Sequence, residues 1–227
     1  MTDRSTSVTV DVTGTGERLT VVPDKLIVAG YTARDEAAVE AHIAELEAIG
    51  VPRPASVPAF YDLDTALLTT APVVEVDGAA TSGEVEPVLI RAGGRYFLGV
   101  GSDHTDRELE RTDVAESKAA CPKPIGSTVV ELDPALSSPD WDTLIAGCAV
   151  DETSYQRGSV SALRHPAQLL ERLADAIGAV PPNVVLFCGT LPLLDGTFVH
   201  GSHWQVRLEL PGGEALTHAY EIKQRSL

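Results

Sequence analysis

The sequence predicts a mixed α/β fold whose sheet is mainly antiparallel, and three observations lead to this prediction. First, short β-branched and alternating apolar runs recur along the 227 residues. Second, several of these runs come in pairs that flank glycine-containing turns, as in β-hairpins. Third, two segments have the apolar periodicity of helices. Many short strands combined with two or three helices are typical of mixed α/β proteins with antiparallel sheets.

The N-terminal part contains a predicted hairpin, a buried strand and a helix. The strands are predicted at 8–12, 18–22 and 25–30. The helix spans residues 35–49, because Val39, Ile43 and Leu46 recur at the spacing that places side chains on one helix face. The glycine and the proline that follow this segment end the helix.

The rest of the chain adds a central hairpin, further strands and a second helix. Gly93-Gly94 is a turn signal between two apolar runs, so residues 84–90 and 96–100 are predicted to pair. Pro87 removes one backbone donor, which predicts an edge position or a bulge in the first of these strands. The other predicted elements are strands at 144–150, 184–187, 204–210 and 217–222, a turn at 155–158 and a helix at 166–177.

The charge composition excludes two classes of partner. The formal net charge is −16 and lysine is scarce. Without a basic patch to neutralise phosphates, we expect no binding to nucleic acid or to anionic membranes. No apolar run reaches the ~18–20 residues that span a bilayer, and the N-terminus lacks the pattern of a signal peptide. We therefore expect no membrane association.

Cysteine usage indicates the cellular compartment. Cys121, Cys148 and Cys188 are an odd number without a Cys-x-x-Cys spacing. This pattern predicts reduced thiols rather than a disulfide framework or a zinc site. Together with the missing signal-peptide pattern, it favours a cytoplasmic protein.

An acidic pair lies at the start of the central hairpin. Glu84 and Glu86 flank Val85, and alternate residues of a strand face the same side of a sheet. Two adjacent carboxylates repel each other unless a cation lies between them, and Asp103 follows the second strand closely. Three carboxylates with open positions suit a hard divalent cation such as Mg²⁺, Mn²⁺ or Ca²⁺. The alternative is a solvated strand face without a metal.

The motifs around this pair resemble those of the fumarylacetoacetate hydrolase superfamily. The shared pattern is Glu-x-Glu, a turn, an apolar strand, Asp-x-x-x-Arg and then a lysine. In this chain its residues are Glu84, Glu86, Asp103, Arg107 and Lys118. Residues 102–107, 117–122 and 188–192 are similar to family segments, in the same order. The agreement runs from about residue 25 to residue 190, and the nearest likeness is to a bacterial branch known as a domain of unknown function.

The resemblance implies a fold, a domain organisation and an assembly. It implies one domain over residues 1–227 with the folded β-roll of fumarylacetoacetate hydrolases and a few short helices. Residues 1–70 would form an N-terminal lobe that carries helix 35–49, and residues 71–227 would form the metal-binding β-roll. Members of the superfamily usually assemble as dimers, so we expect a homodimer.

The resemblance also implies roles for individual residues. The implied metal ligands are Glu84, Glu86 and Asp103, with Mg²⁺ (or Mn²⁺ or Ca²⁺) as the cofactor. The implied substrate-binding residues are Arg107, Gly189 and Thr190. Lys118 would stabilise a developing oxyanion, and His42, held by Glu45, would activate water. The spacing of this His-x-x-Glu pair departs from the family pattern, and His104, beside Asp103, is the competing base.

The resemblance implies a divalent-metal-dependent enzyme that cleaves a carbon–carbon bond in a 2-oxo or β-diketo acid, a small carboxylate substrate. Acylpyruvate-type hydrolysis, decarboxylation and tautomerisation share a metal-stabilised enolate, and the residues do not choose among them. Ala119 and Ala120 stand where the family has other residues, and Glu110 stands where it often has Gln. These departures indicate an altered pocket. The alternative is a non-catalytic ligand-binding or regulatory protein that shares the fold.

Overall fold

The structure is a computed structural model that describes residues 6–48 and 53–225, apart from the side chains of residues 42, 45 and 46. The described residues form many strands, four α-helices and three short 3₁₀ helices. The strands are β1 (Val8–Val12), β2 (Glu17–Val21), β3 (Lys25–Gly30), β4 (Ala59–Leu63), β5 (Leu68–Thr69), β6 (Val73–Val76), β7 (Thr81–Ser82), β8 (Val85–Ala92), β9 (Arg95–Ser102), β10 (Thr105–Asp106), β11 (Lys123–Pro124), β12 (Thr128–Leu132), β13 (Ile145–Val150), β14 (Thr153–Ser159), β15 (Val184–Phe187), β16 (His203–Glu209) and β17 (Ala215–Gln224). The helices are α1 (Glu36–Ala48), α2 (Arg107–Glu110), α3 (Val114–Ala119) and α4 (Pro166–Ile177).

Two large sheets dominate the fold. The eight-stranded sheet has the order β2-β1-β12-β9-β8-β15-β3-β4, and the five-stranded sheet has the order β14-β13-β16-β17-β6. Two short pairs, β7 with β10 and β5 with β11, complete the described strands. Most neighbouring strands are antiparallel, and the parallel pairs are β1 with β12, β5 with β11, β15 with β3 and β17 with β6. The predicted mixed α/β class with a mainly antiparallel sheet is confirmed.

The apolar core has two parts, one on each face of the large sheet. Val85 and Leu89 of β8 pack with residues of the five-stranded sheet and of α4. Val88 and Ile90 of the same strand pack in a second group, most of which comes from strands of the large sheet itself. The large sheet therefore curves around this second group. Because both faces of β8 are covered, its apolar residues run almost continuously rather than alternating with polar ones.

The central hairpin positions the acidic residues, and the sequence prediction for it is confirmed. Strands β8 and β9 pair from Val85 with Ser102 to Ala92 with Arg95. Gly93 and Gly94 connect them, and both have positive φ, at 58° and 77°. Glycine adopts such angles without a steric penalty, so this turn closes the hairpin tightly.

Two local predictions are wrong. Pro87 lies in β8, which is a central strand between β9 and β15, and not at an edge or a bulge. The missing N–H of Pro87 costs little hydrogen-bond energy, because the β8–β15 pairing ends at Val88 with Phe187. On the β15 side, the Cys188 amide donates to the Pro87 carbonyl. The segment 155–158 lies within β14 rather than in a turn. The chain instead turns at residues 151–152, both with positive φ.

The two predicted long helices are present in the described part of the chain. The Asp35 side chain accepts hydrogen bonds from the amides of Ala37 and Ala38, which caps the first turn of α1. Val39 and Ile43 are buried, as the periodicity predicts. The side chain of Leu46 and the predicted end of the helix at residues 49–52 lie outside the described residues. Helix α4 matches its predicted bounds and buries Leu169 and Leu173.

Strands from both sides of residue 70 pair in the large sheet, since β3 pairs with β15 on one side and with β4 on the other. The division into a lobe at 1–70 and a β-roll at 71–227 stays a prediction. Across the residues with described positions, no helix is both long and apolar enough to cross a membrane. The three cysteines are buried and unpaired, as expected.

Candidate active site

The central hairpin brings the predicted acidic residues into one buried cluster. Glu84 directly precedes β8, Glu86 lies within it, and Asp103 follows β9. The Asp103 amide donates to the Glu84 carbonyl at 3.0 Å, which fixes the two chain segments side by side. Asp103 is fully buried and Glu86 is 2% exposed. The charge of Lys118, on α3, acts on all three carboxylates. We call Glu84, Glu86 and Asp103 the acidic cluster.

Two buried lysines surround Asp103. The Lys118 ammonium donates a hydrogen bond to Asp103 Oδ2. The Lys123 ammonium lies 3.2 Å from Asp103 Oδ1 and is completely buried. Burial would raise the pKa of Asp103, but the two ammonium groups outweigh it and hold this pKa below its usual range. Burial would lower the pKa of Lys118, but the acidic cluster raises it, so Lys118 stays charged at neutral pH.

Lys123 also joins the chain segments that carry the site. Its ammonium donates to the carbonyls of His104 at 2.6 Å, of Cys121 at 3.1 Å and of Lys118. An ammonium has three donors, and these carbonyls use all of them. Asp103 Oδ1 therefore has a positive charge nearby but no hydrogen bond. No sequence pattern signals this role, because a single lysine is normally exposed.

Glu84 and Glu86 have different surroundings. Burial raises the pKa of Glu86 well above its usual value, and the Asp103 charge adds to this effect. The Gly189 amide donates to Glu86 Oε2 at 2.7 Å. Burial also raises the pKa of Glu84, although Arg107 lies 3.3 Å from its Oε2 and opposes the rise. A nearby cation would stabilise both carboxylates in their charged forms.

Arg107 is held on several sides. Its Nε donates to the Ser82 hydroxyl at 2.6 Å, and its Nη1 donates to Glu110 at 2.8 Å. The ring of Phe198 lies 3.9 Å from the guanidinium carbon, in cation–π geometry. Its Nη2 is buried and makes no hydrogen bond, but it forms an ion pair with Glu84 Oε2 at 3.3 Å. The structure thus places Arg107 beside Glu84.

The Gly189-Thr190 turn borders the cluster. Gly189 has a φ of +100°, and a Cβ atom there would lie 1.7 Å from the Thr32 hydroxyl, so only glycine fits. The Thr190 hydroxyl donates to the Val85 carbonyl at 2.9 Å and accepts from Gln156. The Gly189 amide and the Thr190 hydroxyl are therefore engaged in orienting Glu86 and the start of β8. Their predicted contact with substrate stays a prediction.

The structure describes the side chain of one candidate base, His104, but not that of the other, His42. His104 is fully buried, and its ring nitrogens bond the Tyr220 hydroxyl at 3.0 Å and the Thr81 hydroxyl at 2.9 Å. Burial lowers the pKa of His104 to about 3, and Lys123 and other cations add to the effect. His104 is therefore a neutral core residue. The side chains of His42 and Glu45 lie outside the described residues, so their predicted pairing on α1 stays a prediction.

The residue types present fit a hard divalent cation, because carboxylate oxygens are its preferred protein ligands and Asp103 Oδ1 has no hydrogen bond. Among the side chains with described positions, no group of three or more His, Cys, Asp or Glu is placed to hold a metal ion. Here Lys118 occupies the other Asp103 oxygen.

Comparisons with known proteins agree with the fold. The family described as "Protein of unknown function (DUF2848)" matches residues 29–220. A comparison with curated proteins finds no match. Among solved structures, a 5-carboxymethyl-2-hydroxymuconate delta-isomerase from Mycobacterium smegmatis is 16% identical, with a TM-score of 0.63 over 94% of this chain and 87% of that one.

Two further structures are similar. A protein from Burkholderia cenocepacia, described as a fumarylpyruvate hydrolase, is 14% identical, with a TM-score of 0.66 over 96% of this chain and 92% of its own. A fumarylacetoacetate hydrolase family protein from yeast is 17% identical, with a TM-score of 0.61 over 90% and 95% of the two chains. At these identities the structural likeness concerns the fold. The chain therefore belongs to the DUF2848 family, and it has the fold of the fumarylacetoacetate hydrolase superfamily.

Proposed function

We propose that this protein is a divalent-metal-dependent enzyme that cleaves a carbon–carbon bond in a 2-oxo or β-diketo acid, by acylpyruvate-type hydrolysis or by decarboxylation. The observation that carries the proposal is the buried acidic cluster, which Lys118 contacts and in which Asp103 Oδ1 makes no hydrogen bond. The neighbouring Arg107 Nη2 makes no hydrogen bond either, although it is ion-paired with Glu84 Oε2 at 3.3 Å. Buried polar atoms are normally hydrogen-bonded, so these open positions indicate a place where a ligand binds.

Glu84, Glu86 and Asp103 would hold the cation, which would be Mg²⁺, Mn²⁺ or Ca²⁺. When bound, such an ion acts as a Lewis acid that withdraws electrons from a keto oxygen and makes an enolate a better leaving group. The raised pKa values of Glu84 and Glu86 support this assignment, because they reflect two buried carboxylates without enough positive charge. The hydrogen bond from Gly189 would keep Glu86 in place.

Lys118 would act on the developing negative charge of the substrate. Its ammonium stays protonated, is held against Asp103 and lies 5.6 Å from the centre of the Tyr61 ring. A preorganised donor of this kind stabilises an oxyanion without having to reorient during the reaction. The same contact with Asp103 keeps the lysine close to the place where the substrate keto group would bind.

Arg107 would fix the substrate carboxylate. Its Nη1 and Nε already make hydrogen bonds, whereas Nη2 makes none and is held only by its ion pair with Glu84, 3.3 Å away. A charge-assisted hydrogen bond from Nη2 to a carboxylate would satisfy this atom and place the carboxylate beside the acidic cluster. Gly189 and Thr190 would contribute through the position that they give to Glu86.

For a hydrolytic substrate, we propose that His42, held by Glu45, removes a proton from water. The two residues are three apart on α1, a spacing at which helical side chains are neighbours. His104 is the weaker candidate, because both of its ring nitrogens already have partners in the core. A decarboxylation would need no attacking water and hence no such base.

The test is turnover of a panel of acylpyruvates, oxaloacetate and sugar-derived 2-oxo acids with Mg²⁺ or Mn²⁺, and again with a chelator. We expect cleavage of at least one member of the panel, and loss of that activity with the chelator. Cleavage that is unaffected by the chelator would contradict the proposed metal dependence. Binding of metal and 2-oxo acid without turnover of any substrate would favour the non-catalytic binding protein instead.

A further inference from the structure

Glu110 lies on the solvent side of the candidate active site. Its side chain is 26% exposed, compared with 14% for Glu84 and 0% for Asp103. Burial raises the pKa of Tyr61 to about 12, and Lys118 and Glu110 both act on it as well. The same two charges act on half-buried Tyr31. The Lys118 ammonium lies 5.6 Å from the centre of the Tyr61 ring, and Tyr31 and Glu110 are near enough to act electrostatically on Tyr61. We call Glu110, Tyr31 and Tyr61 the rim.

The cations of the site already have partners. Lys118 bonds Asp103, Lys123 bonds three backbone carbonyls, and Arg107 lies between Glu84 and Glu110. Counting Glu110, four carboxylates face three cations. A divalent cation together with one substrate carboxylate would balance these charges. A second substrate carboxylate would leave excess negative charge in a region largely closed to water, which costs free energy.

We infer that Glu110 makes this site selective for 2-oxo acids with a single carboxylate, whose far end is uncharged. This inference rests on the proposed function, because it assumes that the substrate carboxylate lies at the acidic cluster. The part of the substrate that extends toward solvent must then pass the rim. An apolar or hydroxylated far end would contact Tyr31 and Tyr61, whereas a carboxylate would meet the Glu110 carboxylate.

The expected discrimination follows from the charge that Glu110 contributes. Two like charges brought together at a partly buried site repel strongly, because the effective dielectric constant there is well below that of water. We expect a dicarboxylate to bind about 10- to 100-fold more weakly than a monocarboxylate of the same length. Glu110→Gln removes the charge but keeps an oxygen that can accept the hydrogen bond from Arg107 Nη1.

The experiment compares two six-carbon 2-oxo acids, 2-oxohexanoate and 2-oxoadipate, by titration calorimetry in the presence of Mg²⁺. Neither is a β-diketo acid, so the dissociation constant is measured without acylpyruvate-type cleavage. We expect the wild-type protein to prefer 2-oxohexanoate and the Glu110→Gln variant to lose most of that preference. The matched control is Glu108→Gln, on the same short helix but exposed, which should keep the wild-type ratio.

Three results would overturn the inference in distinguishable ways. Wild-type protein that binds 2-oxoadipate as tightly as 2-oxohexanoate contradicts the selectivity and leaves the proposed function intact. If the preference for 2-oxohexanoate persists in Glu110→Gln, Glu110 is not its cause. The same conclusion follows if the control Glu108→Gln also abolishes the preference. Absence of binding for both acids in the presence of Mg²⁺ overturns the proposed function and this inference with it.

Discussion

Replacing Lys123 by methionine should destabilise the protein strongly. The side chain is completely buried, and its ammonium bonds the carbonyls of His104, Lys118 and Cys121 and lies 3.2 Å from Asp103. Methionine fills a similar volume but offers no donor. The substitution therefore leaves three carbonyls without their partner and removes one of the two cations that face Asp103.

The size of the effect follows from these contacts. Removing one partner of a buried ion pair costs about 3–5 kcal/mol, and a buried acceptor without a partner costs about 1–3 kcal/mol. These costs are not additive, because the interactions share one ammonium group. We therefore expect a loss of about 3–5 kcal/mol from a total stability that is about 5–15 kcal/mol for a typical domain. At roughly 2–4 °C per kcal/mol, the melting temperature should fall by roughly 6–20 °C.

The assay is thermal and urea unfolding followed by circular dichroism. The matched control is Lys25→Met, because Lys25 pairs with Asp62 at the surface and its side chain is 35% exposed. A surface ion pair contributes at most about 1 kcal/mol, so this variant should unfold close to the wild-type temperature. Equal melting temperatures for Lys123→Met and Lys25→Met would refute the reasoning.

Three further predictions concern catalysis, pH and assembly. Lys118→Ala should leave metal affinity intact and slow turnover by about 10²–10³, and a wild-type rate would contradict the oxyanion role. The pKa of buried His104 is lowered from 6.5 to about 3, so its contribution to stability is present above pH 6.5 and is lost as pH falls toward 3. In urea titrations, the difference in free energy of unfolding between wild type and His104→Gln should therefore shrink as pH falls through this range. A difference that stays constant with pH would contradict this prediction. Light scattering should show a homodimer. A monomer at all accessible protein and salt concentrations would contradict the predicted assembly.

Much of the fold could be predicted because it depends on local patterns. The central hairpin follows from Gly93-Gly94 between two apolar runs, and both long helices follow from their apolar spacing. The segment 155–158 was misleading because its polar residues suggest solvent. Gln156 is in fact 1% exposed, and its amide bonds Val85, Thr190 and Leu191. Such a contact joins residues far apart in sequence, and no local pattern signals it.

In the candidate site, too, some features could be predicted from the sequence and others could not. The grouping of Glu84, Glu86 and Asp103 could be predicted, because alternation along a strand and the end of a hairpin fix it. The roles of Lys123 and of the Thr32 hydroxyl beside Gly189 could not be predicted. Both depend on how separate segments pack, and lysine and threonine are common surface residues.

The central claim is that the acidic cluster is a divalent-metal site, and titration of Mn²⁺ into metal-free protein tests it most directly. We predict one Mn²⁺ site per chain by calorimetry, loss of that site in Glu84→Ala, and wild-type binding in Glu214→Ala, whose glutamate is exposed in a distant turn. Two carboxylates rarely bind such an ion strongly enough to displace its hydration shell. Removal of one of the three ligands should therefore abolish Mn²⁺ binding. Wild-type protein that binds no Mn²⁺, or Glu84→Ala that binds it equally well, would contradict the account.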